Sequence, residues 1–80
     1  MRFEWDANKA ASNLLKRGVS FGEATEVFYD PNALEDYDEL HSSAEARFFV
    51  IGLSSRRLLY VIYVETKSSA VRINLGPEAN

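Results

Sequence analysis

Phe3-Glu4-Trp5-Asp6, Asn8-Lys9, Asn13-Leu14 and Lys16-Arg17-Gly18-Val19-Ser20-Phe21 form a dense run of local signals that sets the architecture. The run reads as a short strand, a capped helix, a tight break and a second capped helix. Asp6 is a good N-cap for a helix over 7–17, because its carboxylate can accept from the exposed amides of the first turn. Ala7, Ala10, Ala11, Leu14 and Leu15 recur at helical spacing and predict one apolar face. Lys16 and Arg17 fall in the last turn, where the helix dipole favours cations, and Gly18 is the expected left-handed stop. Ser20 and Glu23 have the spacing of a capping box, with Glu23 reaching back to the Ser20 amide. The second helix turns Phe21, Ala24, Val27 and Phe28 inward and ends before the turn signal Asp30-Pro31-Asn32.

Working outward, the second half changes period. Segments 47–53, 58–65 and 70–75 are rich in Val, Ile, Phe and Tyr and are divided by Ser-Ser-Arg-Arg and Lys-Ser-Ser. That pattern predicts an antiparallel meander, and residues 33–40 add an acidic edge strand. The expected class is α+β, with a short N-terminal strand and two helices packed on one face of an antiparallel three- to four-stranded sheet.

Register carries the reading further. Pairing Leu53 with Leu58 puts Arg47 opposite Val64, and a second loop at Lys67-Ser68-Ser69 puts Val64 opposite Arg72. The two arginines then flank Val64 on one face, roughly 10 Å apart at two strand spacings. The other face carries Phe48, Val50, Leu59, Val61, Tyr63, Val71, Ile73 and Leu75, a seat for the helices. A one-residue slip would turn Arg72 over, but it would also expose Val71, Ile73 and Leu75. Phe49, Ile51, Tyr60, Ile62 and Val64 are left as an apolar row without a helix, the kind of surface that marks a binding site.

The 80 residues make one domain, 1–80. A chain of this length buries somewhat more than ~60% of its unfolded surface. Without cysteine there is no disulfide framework, thiol nucleophile or cysteine-ligated metal. The start of the chain has no apolar signal region, and the longest apolar run, 58–64, is far short of the ~20 residues of a membrane span. A cytoplasmic protein with no membrane partner is expected. The net charge of −3 and pI near 5.0 count against nucleic acid on average, since phosphate binding draws on Lys and Arg. The charges are segregated, however: acids crowd residues 35–39, while bases fall at Lys16-Arg17, Arg47, Arg56-Arg57 and Arg72.

Two arginines on one sheet face make a phosphate clamp, able to bind bidentately and to stabilise the charge of a phosphorane-like transition state. A reaction at phosphorus that builds such charge needs that stabilisation plus a base and an acid, and requires no metal. The plain alternative is a pair of solvent-exposed strand ends matched to nearby carboxylates. His41, the single histidine, is a candidate acid or base, or an exposed loop residue; Glu45 is a candidate base. Lys16 and Arg17 serve equally well as dipole caps. Asp36, Asp38, Glu39 and His41 lack the spacing of a calcium loop or a zinc helix, so no metal and no cofactor are expected. Trp5, Phe3, Phe21 and Phe28 fit core packing better than base stacking.

The opening block, together with Val27-Phe28-Tyr29-Asp30-Pro31, Glu45-Ala46-Arg47-Phe48, Ile51-Gly52 and Val71-Arg72-Ile73, resembles the BrnT family of ribonuclease toxins from bacterial type II toxin–antitoxin systems. The resemblance implies the RelE-like ribonuclease toxin fold and a metal-independent endoribonuclease that slows translation. It also implies an RNA substrate and a cognate ribbon-helix-helix antitoxin that blocks the toxin and binds operator DNA, in a homodimer or a toxin–antitoxin heterotetramer. Arg47, Arg72 and Lys16 take the functional positions, with Glu45 or His41 supplying proton transfer. The apolar row without a helix would then be covered by antitoxin or by a second copy of the chain. Two departures stand out. Lys-His-Gly is common in the family where this chain has Lys16-Arg17-Gly18, and arginine exchanges no protons near neutrality. The tail, 74–80, departs from the family's Ser-Ala-Arg-like stretch and terminal helix, and Gly76-Pro77 is expected to stop the last strand. Both departures favour an alternative function, a catalytically inactive truncated homologue that only binds antitoxin or itself.

Overall fold

The computed structural model describes residues 1–40 and 42–79, and of 74–79 the backbone alone. His41 and Asn80 therefore lie outside the described residues, as does the side chain of Leu75. After β1 (Arg2–Glu4), Asp6 takes the extended conformation of a cap and its Oδ1 accepts from the amides of Asn8 at 2.7 Å and Lys9 at 3.2 Å. Satisfying those orphan donors starts α1 at Ala7. The helix, Ala7–Arg17, stops where Gly18 turns left-handed at φ 68° and donates to the Leu14 carbonyl at 3.0 Å. Both ends are as the sequence predicts.

The inward face of α1 is not. Leu14 and Leu15 are 53% and 88% exposed, and the one buried residue of the helix is Asn13. The cause is local: Asn13 Nδ2 donates to the Val19 carbonyl at 2.8 Å, satisfying a buried acceptor in the break between the helices. With Asn13 turned inward, Ala10 rather than the leucine pair packs against the core.

Ser20 caps α2 (Phe21–Val27), its Oγ accepting from the Glu23 amide at 3.0 Å. The reciprocal half of the capping box is absent. The Glu23 carboxylate instead accepts from Arg57 Nε at 3.0 Å, Arg57 Nη2 at 2.8 Å and Ser54 Oγ at 2.7 Å. The guanidinium brings an opposite charge and two N–H donors to the carboxylate, where the Ser20 amide offers one neutral donor. Phe21, Ala24 and Val27 are buried with Val50, Val61 and Ile73, and Phe28 packs edge-on against Phe3 and Tyr63.

The sheet has five strands, ordered β1-β5-β4-β3-β2, with β2 (Leu34–Tyr37), β3 (Phe48–Leu53), β4 (Leu58–Glu65) and β5 (Ala70–Ala79) antiparallel. The short first strand completes it by pairing parallel to β5, Glu4 beside Arg72, which makes the sheet mixed rather than purely antiparallel. Both hairpin registers agree with the sequence reading: Leu53 pairs with Leu58, and Val64 with Arg72. The acidic segment forms the edge strand β2, as expected.

Gly52 allows the helix layer to approach the sheet. A Cβ there would stand 2.8 Å from Val27 Cγ1 and 3.0 Å from Ala33 Cβ. The same contact seats the Asp30 turn, whose Oδ2 accepts from the Leu53 amide at 2.8 Å and Oδ1 from Asn32 at 2.9 Å. Those two bonds hold the Asp30 carboxyl below its ordinary pKa.

Gly76-Pro77 does not end β5. The pairing steps from Tyr63↔Ile73 to Ile62↔Leu75 to Tyr60↔Glu78, so β5 gains one residue on β4 at each irregularity. Bulges of this kind leave a residue outside the ladder, which accommodates a proline that has no N–H to give.

Candidate active site

The face of the sheet opposite the helices carries one cross-strand row, drawn from β1, β5 and β4 and from the residues that flank β3 and β2. Val64 on β4 is its centre, with Arg72 of β5 beside it and Glu4 of β1 beyond. On the other side Phe48↔Tyr63 places Arg47 next to Val64, and Asp38 follows, its amide donating to the Arg47 carbonyl at 2.8 Å. The order across the row is thus acid, arginine, valine, arginine, acid. The two arginines stand roughly two strand spacings, about 10 Å, apart.

Each guanidinium has a carboxylate companion. Arg47 Nη2 lies 3.8 Å from Glu45 Oε1, and Arg72 Nε lies 3.7 Å from Glu4 Oε1. Arg47 is the more enclosed of the two, and its Nε is buried with no hydrogen-bond acceptor among the described residues. Its backbone is fixed by Ser42, whose Oγ donates to the Asp38 carbonyl at 2.7 Å and accepts from the Arg47 amide at 2.9 Å. Ser42 and Glu4 were not singled out from the sequence. A serine just before a strand start is a weak signal, and Glu4 acquires its meaning only through the parallel pairing.

Of the sequence candidates, the structure brings together Arg47, Arg72 and Glu45. Lys16 sits exposed in the last turn of α1, in the helix layer. The apolar row is narrower than expected: Ile62 and Val64 are only 4% and 7% exposed, leaving Phe49, Ile51 and Tyr60 half-buried, with Leu34, Leu53 and Leu58 exposed around them. Burial and the charge of Asp38 push the Tyr60 phenol above its ordinary pKa. Arg56 and Arg57 belong to a different region, where Arg57 holds the Glu23 carboxyl down to about 2 and also donates to the Gly18 carbonyl at 2.8 Å. Among the described residues no three His, Asp or Glu side chains are grouped to hold a metal ion, and no helix is long and apolar enough to cross a membrane.

The arrangement defines an α+β domain that presents a guanidinium pair on its helix-free sheet face. Residues 5–73 match the family model described as ribonuclease toxin, BrnT, of type II toxin-antitoxin system, and the chain belongs to that family. Membership implies an antitoxin partner. Arg47, Arg72, Glu45 and Lys16 all fall within the matched span, whereas Glu4 and the tail fall outside it. The chain matches no curated protein.

Proposed function

We propose that residues 1–80 act as one metal-independent endoribonuclease domain in which Arg47 and Arg72 grip the scissile phosphate. The observation that carries this reading is the row itself, two arginines on one face with Val64 in register between them. The Nε of Arg47, buried without a hydrogen-bond acceptor among the described residues, leaves that guanidinium with a donor that no protein group uses.

The chemistry asked of these residues is modest. The ribose 2′-oxygen attacks the adjacent phosphorus, the bond to the 5′-oxygen breaks, and a 2′,3′-cyclic phosphate and a 5′-hydroxyl result. Glu45 takes the 2′-hydroxyl proton, and His41 supplies one to the departing oxygen. The arginines meet the charge that builds on the non-bridging oxygens, stabilisation that is stronger in the transition state than in the ground state. Lys16 acts from the helix layer as a dipole cap. A ribbon-helix-helix antitoxin inhibits by covering the helix-free face, with Ile51, Leu53 and Leu58 supplying apolar contact beside the charged row.

A second reading, a binding module without catalysis, has one observation in its favour. The proton-exchanging groups beside the arginines, Glu45 and Glu4, are each engaged with a guanidinium, and Arg17 exchanges no proton. Induced expression with and without the neighbouring open reading frame separates the two. Growth arrest relieved by the neighbour, with RNA cleavage by the purified chain in chelator, is the expected outcome. Tight antitoxin binding without any cleavage would establish the second reading instead.

A further inference from the structure

Phe49 lies two residues along β3 from Arg47 on the same face, about 7 Å away along the strand. Its ring stacks on that of Tyr60 at a centroid distance of 5.7 Å with only 12° between the planes. Both rings remain half-buried, while Ile62, opposite Phe49 in the ladder, is covered. A charged pair and a flat aromatic pair thus adjoin on the one sheet face that no helix covers. A nucleotide has the same two parts, an anionic phosphate and a flat base. A peptide segment has no general need for both at this spacing.

We propose that Phe49 and Tyr60 form a base-stacking platform for single-stranded RNA, receiving the base next to the phosphate held by Arg47 and Arg72. The proposal rests on the arginine-clamp reading and deepens it. Every base has a π face, so the platform binds without strong sequence preference, extending a stack that already exists.

The test compares two ten-nucleotide probes of equal charge, both 2′-O-methylated to prevent cleavage: one carrying bases, the other abasic throughout. Fluorescence anisotropy with the purified, antitoxin-free chain should show roughly 10- to 100-fold tighter binding of the base-bearing probe. Phe49→Leu and Tyr60→Leu should each erase most of that preference while leaving abasic binding unchanged; Tyr60→Phe should keep it. Arg47→Ala and Arg72→Ala should weaken both probes together. Equal binding of the two probes by the wild-type chain would overturn the platform while sparing the clamp. So would leucine variants with an unchanged melting temperature that retain the preference, including any that lose only antitoxin binding. Failure of both probes to bind would remove the platform and the clamp together.

Discussion

Arg57 holds Glu23 at two points, through Nε at 3.0 Å and Nη2 at 2.8 Å, and so ties the loop after β3 to the first turn of α2. With Ser54 adding a third bond, the carboxyl is held near 2, against an ordinary value of 4.5, despite burial that opposes ionisation. A depressed carboxylate contributes stability that is complete above its unfolded pKa and is lost as pH falls through the folded one. The window here runs from about 4.5 down to about 2. The contribution is on the order of 2–3 kcal/mol. Urea unfolding at pH 7, 4.5 and 3 should show the wild-type chain losing more stability on acidification than Glu23→Gln. Identical pH dependence in the two would contradict this.

Gly52 should not tolerate a methyl group. The added Cβ would meet Val27 Cγ1 at 2.8 Å and Ala33 Cβ at 3.0 Å, both in packed surroundings. Overpacking of this kind costs about 1–3 kcal/mol. For a domain of this size that is a fall of roughly 5–20 °C in the melting temperature of Gly52→Ala. An unchanged melt would mean that α2 and the Asp30 turn ride more loosely on the sheet than described.

Ser42 should matter to activity more than to stability. Its hydroxyl bridges the Asp38 carbonyl and the Arg47 amide, at 2.7 and 2.9 Å. Removing it in Ser42→Ala costs about 1 kcal/mol of hydrogen bonding. Single-turnover RNA cleavage should fall several-fold as Arg47 loosens, with a melting shift of only a few degrees. Full activity in that variant would show that Arg47 is held by β3 alone.

Cleavage should proceed unchanged in excess EDTA, because the proposed transition state is stabilised by guanidinium groups and its protons are moved by side chains. General acid–base groups typically contribute ~10²–10⁴-fold, so His41→Gln should lower the rate and flatten its profile between about pH 5 and 8. A rate restored only by added divalent metal would contradict the scheme.

What was legible in the sequence was local. Asp6 and Gly18 fix both ends of α1 through bonds spanning four residues or fewer, and capping residues announce such bonds. The hairpin registers were legible because short turns and alternating apolar residues leave one pairing that buries Val71 and Ile73. That reasoning placed Arg47 and Arg72 on either side of Val64. Distant partners were not legible. Glu23 offers a capping-box spacing, and only a residue 34 positions away diverts it. Likewise, Glu4 joins the row because β1 pairs with the last strand, a parallel contact for which the sequence carries no turn signal. The inward face of α1 is not legible, because apolar spacing says nothing of a buried carbonyl at Val19 that needs Asn13.

The central claim is that the arginine pair performs the chemistry, and single-turnover cleavage of a labelled single-stranded RNA by antitoxin-free protein tests it most directly. Arg47→Ala and Arg72→Ala should each cleave ~10²–10³-fold more slowly than the wild-type chain while melting with the same cooperative transition. Lysine at either position should rescue poorly, because it lacks the planar fork. Folded alanine variants that cleave at the wild-type rate would contradict the account.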